Sequence, residues 1–155
     1  ISVDAIDEYS HIVISPGPGL PKDAGILMEV LVRYSTSKSI LGICLGLQAI
    51  VEHFGGELYN QKIVKHGLQE EIHILNSESG LFKGFDNTIE VGLYHSWAAK
   101  KETLPVELEI TAEGKTGVIM ALQHKILPIS AVQFHPESIL TPSGKKIIKN
   151  WIDAN

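Results

Sequence analysis

Ser39-Ile-Leu-Gly-Ile-Cys-Leu-Gly-Leu-Gln48 is the stretch that decides how this chain folds. Ile40 to Ile43 reads as a short strand buried on both faces, the pattern of a parallel sheet. It runs straight into a helix-like segment, Leu45 to Phe54, which Gly55-Gly56 stops. A strand, Gly42-Ile-Cys-Leu-Gly46 and a helix form the cysteine counterpart of the G-x-S-x-G nucleophile elbow. In so tight a turn a side chain at 42 or 46 would collide with its surroundings, so glycine fits at both. The helix that follows points free N–H groups and its positive dipole end at the sulfur, which predicts a thiol biased toward thiolate. A lone cysteine reads more readily as a buried structural thiol. The two glycines, and a His-Pro-Glu far downstream, reverse that preference.

Working outward, His11-Ile-Val-Ile-Ser15 is a second buried parallel strand, ended by Pro16-Gly-Pro-Gly19. Asp23 is placed to cap a helix over Ala24 to Tyr34, with Ile26, Leu27, Val30 and Leu31 on one face. Downstream the pattern changes. Leu68 to Leu75, Thr88 to Tyr94 and Glu107 to Thr111 alternate, and Gly117 to Gln123 joins Ile129 to Phe134 as a hairpin around His124-Lys125. Thr141 and Pro142 open a last helix running to about Asp153, with Ile147, Ile148 and Trp151 on its buried face. The expected fold is α/β: a mostly parallel central sheet, helices on both faces, and a small antiparallel extension from the middle segment. Asp4, Asp7 and Glu8 read as a solvated connector ahead of it.

Composition narrows the function classes. The chain has 155 residues, 44% hydrophobic and 20% charged, enough for one domain with a sizeable core. A net charge of −5 with no basic cluster argues against nucleic acid or an anionic membrane as partner. A single cysteine excludes an internal disulfide and fits a reducing, cytoplasmic setting. No apolar run reaches the length of a membrane span. The seven histidines show no H-E-x-x-H spacing, so the sequence supports no metal site.

A cysteine nucleophile needs a base and a group to orient that base. Gln133-Phe-His-Pro-Glu137 supplies both. His135 lies just past the last strand, and Glu137, held two residues on by Pro136, can fix its tautomer. Acyl transfer also needs oxyanion donors. The N–H of Leu45, directly after the nucleophile, is one candidate. The N–H of Gly17, in the loop after the first strand, is the second.

Ser15-Pro-Gly-Pro-Gly19, Gly42-Ile-Cys-Leu-Gly-Leu-Gln48, Tyr94-His-Ser96 and Gln133-Phe-His-Pro-Glu-Ser-Ile-Leu140 together resemble the class I glutamine amidotransferases, with their flavodoxin-like fold. Lys65-His66-Gly67 and the helix after His-Pro-Glu-Ser-Ile-Leu are similar to the branch that serves anthranilate synthase and aminodeoxychorismate synthase. The resemblance implies one amidotransferase domain over residues 1–155. It implies that Cys44 attacks the side-chain amide of L-glutamine, His135 relays the proton to ammonia, and Glu137 orients His135. Gly17, Pro18 and Gly19 would line the substrate loop, Gln48 would contact the glutamine, and Ser96 and Trp97 would hold its α-amino and α-carboxylate end through backbone groups. No cofactor is implied; the implied partner is a chorismate-utilising synthase in a heteromer.

Two positions depart from the branch. Leu47 stands where His is frequent, and Trp97 where Leu is common. The family also opens with a strand, a helix and a strand before the point matching Ile1, so the domain is expected to be N-terminally incomplete, and less stable or self-associating on that side. The rival readings are an amidotransferase of another branch, such as GMP synthetase, and a non-catalytic, glutamine-binding regulatory subunit.

Overall fold

The apolar run at Ile40 becomes the strand around which the sheet is built. The computed structural model describes residues 2–78 and 80–154, so Ile1 and Asn155, the ends of the expected domain, lie outside it. Its strands and helices are β1 (His11–Ile14), α1 (Leu27–Tyr34), β2 (Ser39–Ile43), α2 (Leu45–His53), β3 (Leu58–Asn60), β4 (Leu68–Ile74), β5 (Thr88–Leu93), β6 (Trp97–Ala99), β7 (Leu108–Gly114), β8 (Ile119–His124), β9 (Ile129–Val132) and α3 (Gly144–Ala154). Seven strands form one sheet in the order β1-β2-β9-β8-β7-β4-β5, and β3 pairs with β6 in a separate ribbon.

The α/β class, the parallel core and helices on both faces are as read. The antiparallel part is larger than the small extension expected. β1–β2 and β2–β9 are parallel, whereas β9–β8, β8–β7, β7–β4 and β4–β5 are antiparallel. The cause is the hairpin from β8 to β9, which reverses direction beside the parallel strands and lets β7, β4 and β5 add in alternation.

Side-chain alternation along β2 sorts the two layers. Leu41 and Ile43 face Ile147 and Trp151 of α3. Ile40 faces the other way, into a cluster with Leu31 of α1 and Leu47 and Ile50 of α2. Each of these fully buried aliphatic side chains contributes roughly 1.5–3 kcal/mol. Helix α2 ends as its glycines demand. Gly55 sits at φ +94°, its N–H reaches Glu52 O at 3.0 Å and the Gly56 N–H reaches Val51 O at 2.8 Å, a Schellman closure. β1 is an edge strand, and Val13 on it is half exposed.

Three local expectations are corrected. Helix α1 starts at Leu27 rather than Ala24, because Asp23 closes a 3-10 turn and Gly25, at φ +60°, interrupts the helical path. Thr141 does not cap α3, which begins at Gly144; its hydroxyl is used elsewhere. The segment at Asp4 and Asp7 is docked rather than free: Val3 is buried against Val30 and Tyr34, Arg33 pairs with both aspartates, and the Tyr34 hydroxyl donates to Val3 O and Asp7. The β3–β6 ribbon was not anticipated, since three-residue strands carry too little alternation to read. Among the described residues no helix is long and apolar enough to cross a membrane.

Candidate active site

Three parallel strands deliver three loops to one edge of the sheet. Ile14 pairs with Gly42, Ile43 pairs with Val132, and the Cys44 N–H donates to Val132 O at 2.8 Å. The loop with Gly17, the elbow with Cys44 and the segment carrying His135 therefore emerge side by side, at the carboxyl ends where α/β sheets bind ligands.

The elbow is as tight as its glycines indicate. Cys44 has φ +52° and ψ −98°, the one non-glycine residue at positive φ among the described residues. Such a conformation costs on the order of 1–3 kcal/mol and is held only by its surroundings. A Cβ on Gly42 would lie 2.6 Å from the Gly46 carbonyl carbon, and one on Gly46 would lie 2.5 Å from Ile14 O. The first glycine lets α2 fold back over β2; the second lets it sit against β1.

His135 is oriented on one side by Glu137. Its Nδ1 donates to Glu137 Oε1 at 2.7 Å, which leaves Nε2 as the bare nitrogen. That Nε2 is buried without a hydrogen-bond partner among the described residues. The ring packs edge-on against Tyr94, with centroids 4.8 Å apart, and the Tyr94 hydroxyl bonds Ser138 Oγ at 3.1 Å. The backbone is pinned as well. The His135 N–H donates to Gly92 O at 3.0 Å, and the Thr141 hydroxyl donates to His135 O at 2.7 Å while accepting the Gly92 N–H at 2.9 Å. Thr141 thus ties the His135 loop to β5. Replacing it by Val strips a buried N–H and a carbonyl of their partner, so T141V is expected to lose about 2–3 kcal/mol, with thermal denaturation showing a fall of roughly 4–10 °C; T141S should stay close to wild type.

Gly17, Pro18, Gly19, Cys44, Gln48, Ser96 and Trp97 line one small cavity of about 190 Å³, together with Tyr94. Leu45 and the pair His135–Glu137 stand outside that lining. Gly17 lies close to Leu45: a Cβ on Gly17 would be 2.9 Å from Leu45 Cδ2. The Gly17 N–H has no hydrogen-bond partner among the described residues.

The thiolate expectation is corrected. Burial pushes the Cys44 thiol up to about 11, and the charge of Glu137 adds to this; hydrogen bonds from the Leu45 N–H and the Gln133 amide oppose it and are outweighed. At neutral pH Cys44 is held as the thiol.

The backbone role expected of Trp97 is narrowed. Its carbonyl accepts from Gln48 Nε2 at 3.0 Å and from His95 Nδ1 at 3.0 Å, which uses both lone pairs. The Ser96 carbonyl accepts the Gln61 N–H at 2.7 Å. Burial lowers the pKa of His95, and the Trp97 carbonyl fixes its Nδ1–H tautomer. The sequence assigns no role to Tyr94 and Gln133 and offers Thr141 only as a helix cap. Tyr94 and Gln133 lay inside the quoted motifs, but their partners are distant in the chain. Among the described residues no group of three or more His, Cys, Asp or Glu is gathered to hold a metal ion.

A family model described as glutamine amidotransferase class-I matches residues 1–154. A Haemophilus influenzae protein provisionally named anthranilate synthase component II is 48% identical over 146 residues, covering 94% of this chain and 75% of that one. The aminodeoxychorismate/anthranilate synthase component 2 of Bacillus subtilis is 41% identical over 156 residues, covering 99% and 79%. A crystal structure of a Thermoplasma acidophilum protein, provisionally assigned as a GMP synthase subunit, superposes with a TM-score of 0.86 at 28% identity, covering 99% of this chain and 76% of that one.

Proposed function

The chain belongs to the class I glutamine amidotransferase family, and from that premise we propose that it hydrolyses L-glutamine at Cys44 and supplies the ammonia to a chorismate-aminating synthase. The observation that carries the reading is the strained elbow at Cys44 beside the strand that leads to a Glu137-oriented His135. The chorismate branch draws its support from relatives at 48% and 41% identity, against 28% for the GMP synthase neighbour. The name of the Bacillus relative covers both anthranilate and aminodeoxychorismate synthesis, and chorismate amination as a class is what we assign.

The chemistry follows from the groups present. Cys44 Sγ attacks the side-chain amide carbon of glutamine as its proton passes to His135 Nε2. The negative charge that develops on the amide oxygen falls to the N–H groups of Leu45 and Gly17. His135 returns the proton to the departing nitrogen, which leaves as ammonia and a glutamyl thioester on Cys44. Water, deprotonated by His135, then opens the thioester to glutamate and restores the thiol. Glu137 keeps Nδ1 protonated so that Nε2 can act as the base. Pro18, Gly19, Gln48, Ser96 and Trp97 bind the substrate from the cavity wall. With the Trp97 carbonyl saturated, Trp97 contributes through its other atoms.

The test is labelling with a glutamine-mimicking diazoketone, with and without a chorismate-utilising synthase, read by intact mass and adduct site. The expected result is one adduct, on Cys44, blocked by excess glutamine. No adduct in either condition, with Cys44 still open to a small thiol reagent, would overturn the reading in favour of a non-catalytic role.

A further inference from the structure

The sulfur of Cys44 is met on one side by a side chain that the hydrolytic scheme above does not use. Gln133 is fully buried, and its Nε2 donates to Cys44 Sγ at 3.5 Å. Its Oε1 accepts from Gln48 Nε2 at 3.5 Å, and the same Gln48 nitrogen donates to Trp97 O at 3.0 Å. His95 Nδ1 donates to that carbonyl from the other side at 3.0 Å. His95 and Gln48 thus meet on the Trp97 carbonyl of β6, and from Gln48 on α2 the donors run through Gln133, just past β9, to the Cys44 sulfur.

The direction is fixed by donor and acceptor logic. Gln48 must present its NH2 group to the Trp97 carbonyl, because a carbonyl only accepts. The same NH2 group faces Gln133, so Gln133 must turn its oxygen toward Gln48 and its nitrogen toward the sulfur. The opposite rotamer would set two NH2 groups against each other. Burying an amide this deeply costs free energy unless its atoms are paired. Among the described residues the side-chain partners of Gln133 are Gln48 and Cys44 alone.

We propose that Gln133 is a positioning residue for the nucleophile: its amide, locked by Gln48, holds the Cys44 sulfur in place and donates to the charge that appears there when the thiol proton leaves. This rests on the reading of Cys44 as the nucleophile. A hydrogen bond to an ionised sulfur is stronger than one to a neutral thiol, so the contact gains strength as the proton departs. The charged and titratable groups near the sulfur are Glu137, whose charge opposes thiolate formation, and His135, which takes the proton; His95 closes the far end of the amide chain.

The experiment follows carbamidomethylation of Cys44 by iodoacetamide from pH 7 to 12 in the full chain, read by mass and adduct site. Cys44 is the one cysteine, and peptide mapping separates its adduct from those on lysine or histidine. Gln133→Met keeps the length and removes the donor; Gln133→Glu sets an oxygen against the sulfur. Both are expected to move the pH profile upward, with alkylation at pH 8 about tenfold slower for Q133M and slower still for Q133E. A folded Q133M with the wild-type profile, even one with reduced glutaminase activity, would make Gln133 a packing residue and overturn the proposal. If neither variant folds, the wild-type side-chain amide of Gln133, followed by ¹⁵N NMR, should titrate with the same midpoint as the alkylation rate and shift in Cys44→Ala; an unmoved signal would overturn it. Iodoacetamide does not require glutamine recognition, so failure here is separable from failure of the diazoketone test.

Discussion

Cys44→Ser is expected to abolish glutamine-dependent amination by this chain combined with a chorismate-utilising synthase, by about 10⁴-fold or more, while ammonia-dependent amination by the synthase continues. The substitution alters one atom. The elbow that holds position 44 at φ +52° is set by Gly42 and Gly46, whose neighbours leave no room for a Cβ, so the variant keeps the fold. On the proposed reading, what it loses is the nucleophile that His135 activates. A hydroxyl gives up its proton far less readily than a thiol, and this site already opposes the anion, since burial lifts even the thiol to about 11. Assaying the complex with glutamine and then with an ammonium salt at raised pH separates the two arms. Retained glutamine-dependent turnover would show that Cys44 is not the nucleophile. The same variant carries a stability signature. The folded chain holds the thiol proton more tightly than the unfolded chain, whose cysteine titrates near 9.0. The contribution is therefore fully present below about pH 9 and is lost as pH rises through about 11, a difference of about 2–3 kcal/mol that C44S does not show. Chemical denaturation of both proteins at pH 8 and pH 10.5 reads about two-thirds of it.

The strand ends around this cysteine were legible because each depends on short-range chemistry. Gly-x-Cys-x-Gly between an apolar strand and a helix has few ways to fold, and the close approaches at Gly42 and Gly46 are the reason. Pro-Gly-Pro-Gly after β1 and His-Pro-Glu after β9 are likewise local signals, and the parallel register brings them to one edge. Other features depend on partners far away in the chain. Thr141 before a proline reads as a helix cap, yet its hydroxyl serves Gly92 and His135 across the sheet. Gln48 and Gln133 are 85 positions apart, and no periodicity pairs them. The bias expected for the thiol had the opposite outcome because helix-end donors and burial act against each other. Sequence reveals the helix start but not the depth at which the sulfur sits.

Gly144→Ala is expected to damage the site from outside it, lowering glutamine-dependent turnover about 100-fold and stability by about 2–4 kcal/mol. Gly144 opens α3 and has no special backbone conformation; its need for glycine is one of space. A Cβ there would lie 1.8 Å from the Pro136 carbonyl oxygen and 2.7 Å from its carbon. Backbone at a proline cannot turn aside as a flexible side chain would, so either α3 or the His135–Glu137 loop must move. The His135 backbone is pinned to Gly92 and Thr141, so within the loop the strain falls on Pro136 and Glu137, while the helix is firmly held. Ile147 and Trp151 are buried in the core, Asn150 Nδ2 donates to Leu81 O at 2.8 Å and to Lys83 O at 2.9 Å, and Lys146 reaches Gly84 O at 2.5 Å. The loop carries Glu137, whose side chain is 55% exposed and held to His135 by a single 2.7 Å contact. Pro136 therefore yields, Glu137 swings outward, and His135 loses the partner that sets its tautomer. Lys145→Ala, one residue on and exposed, is the control and should leave both readouts within error. Thermal melts report the cost to the fold, and the ratio of glutamine-dependent to ammonia-dependent turnover reports the site. If G144A melts lower and keeps a wild-type ratio, α3 has moved instead of the loop, and the His135–Glu137 pair is independent of the helix that packs behind it.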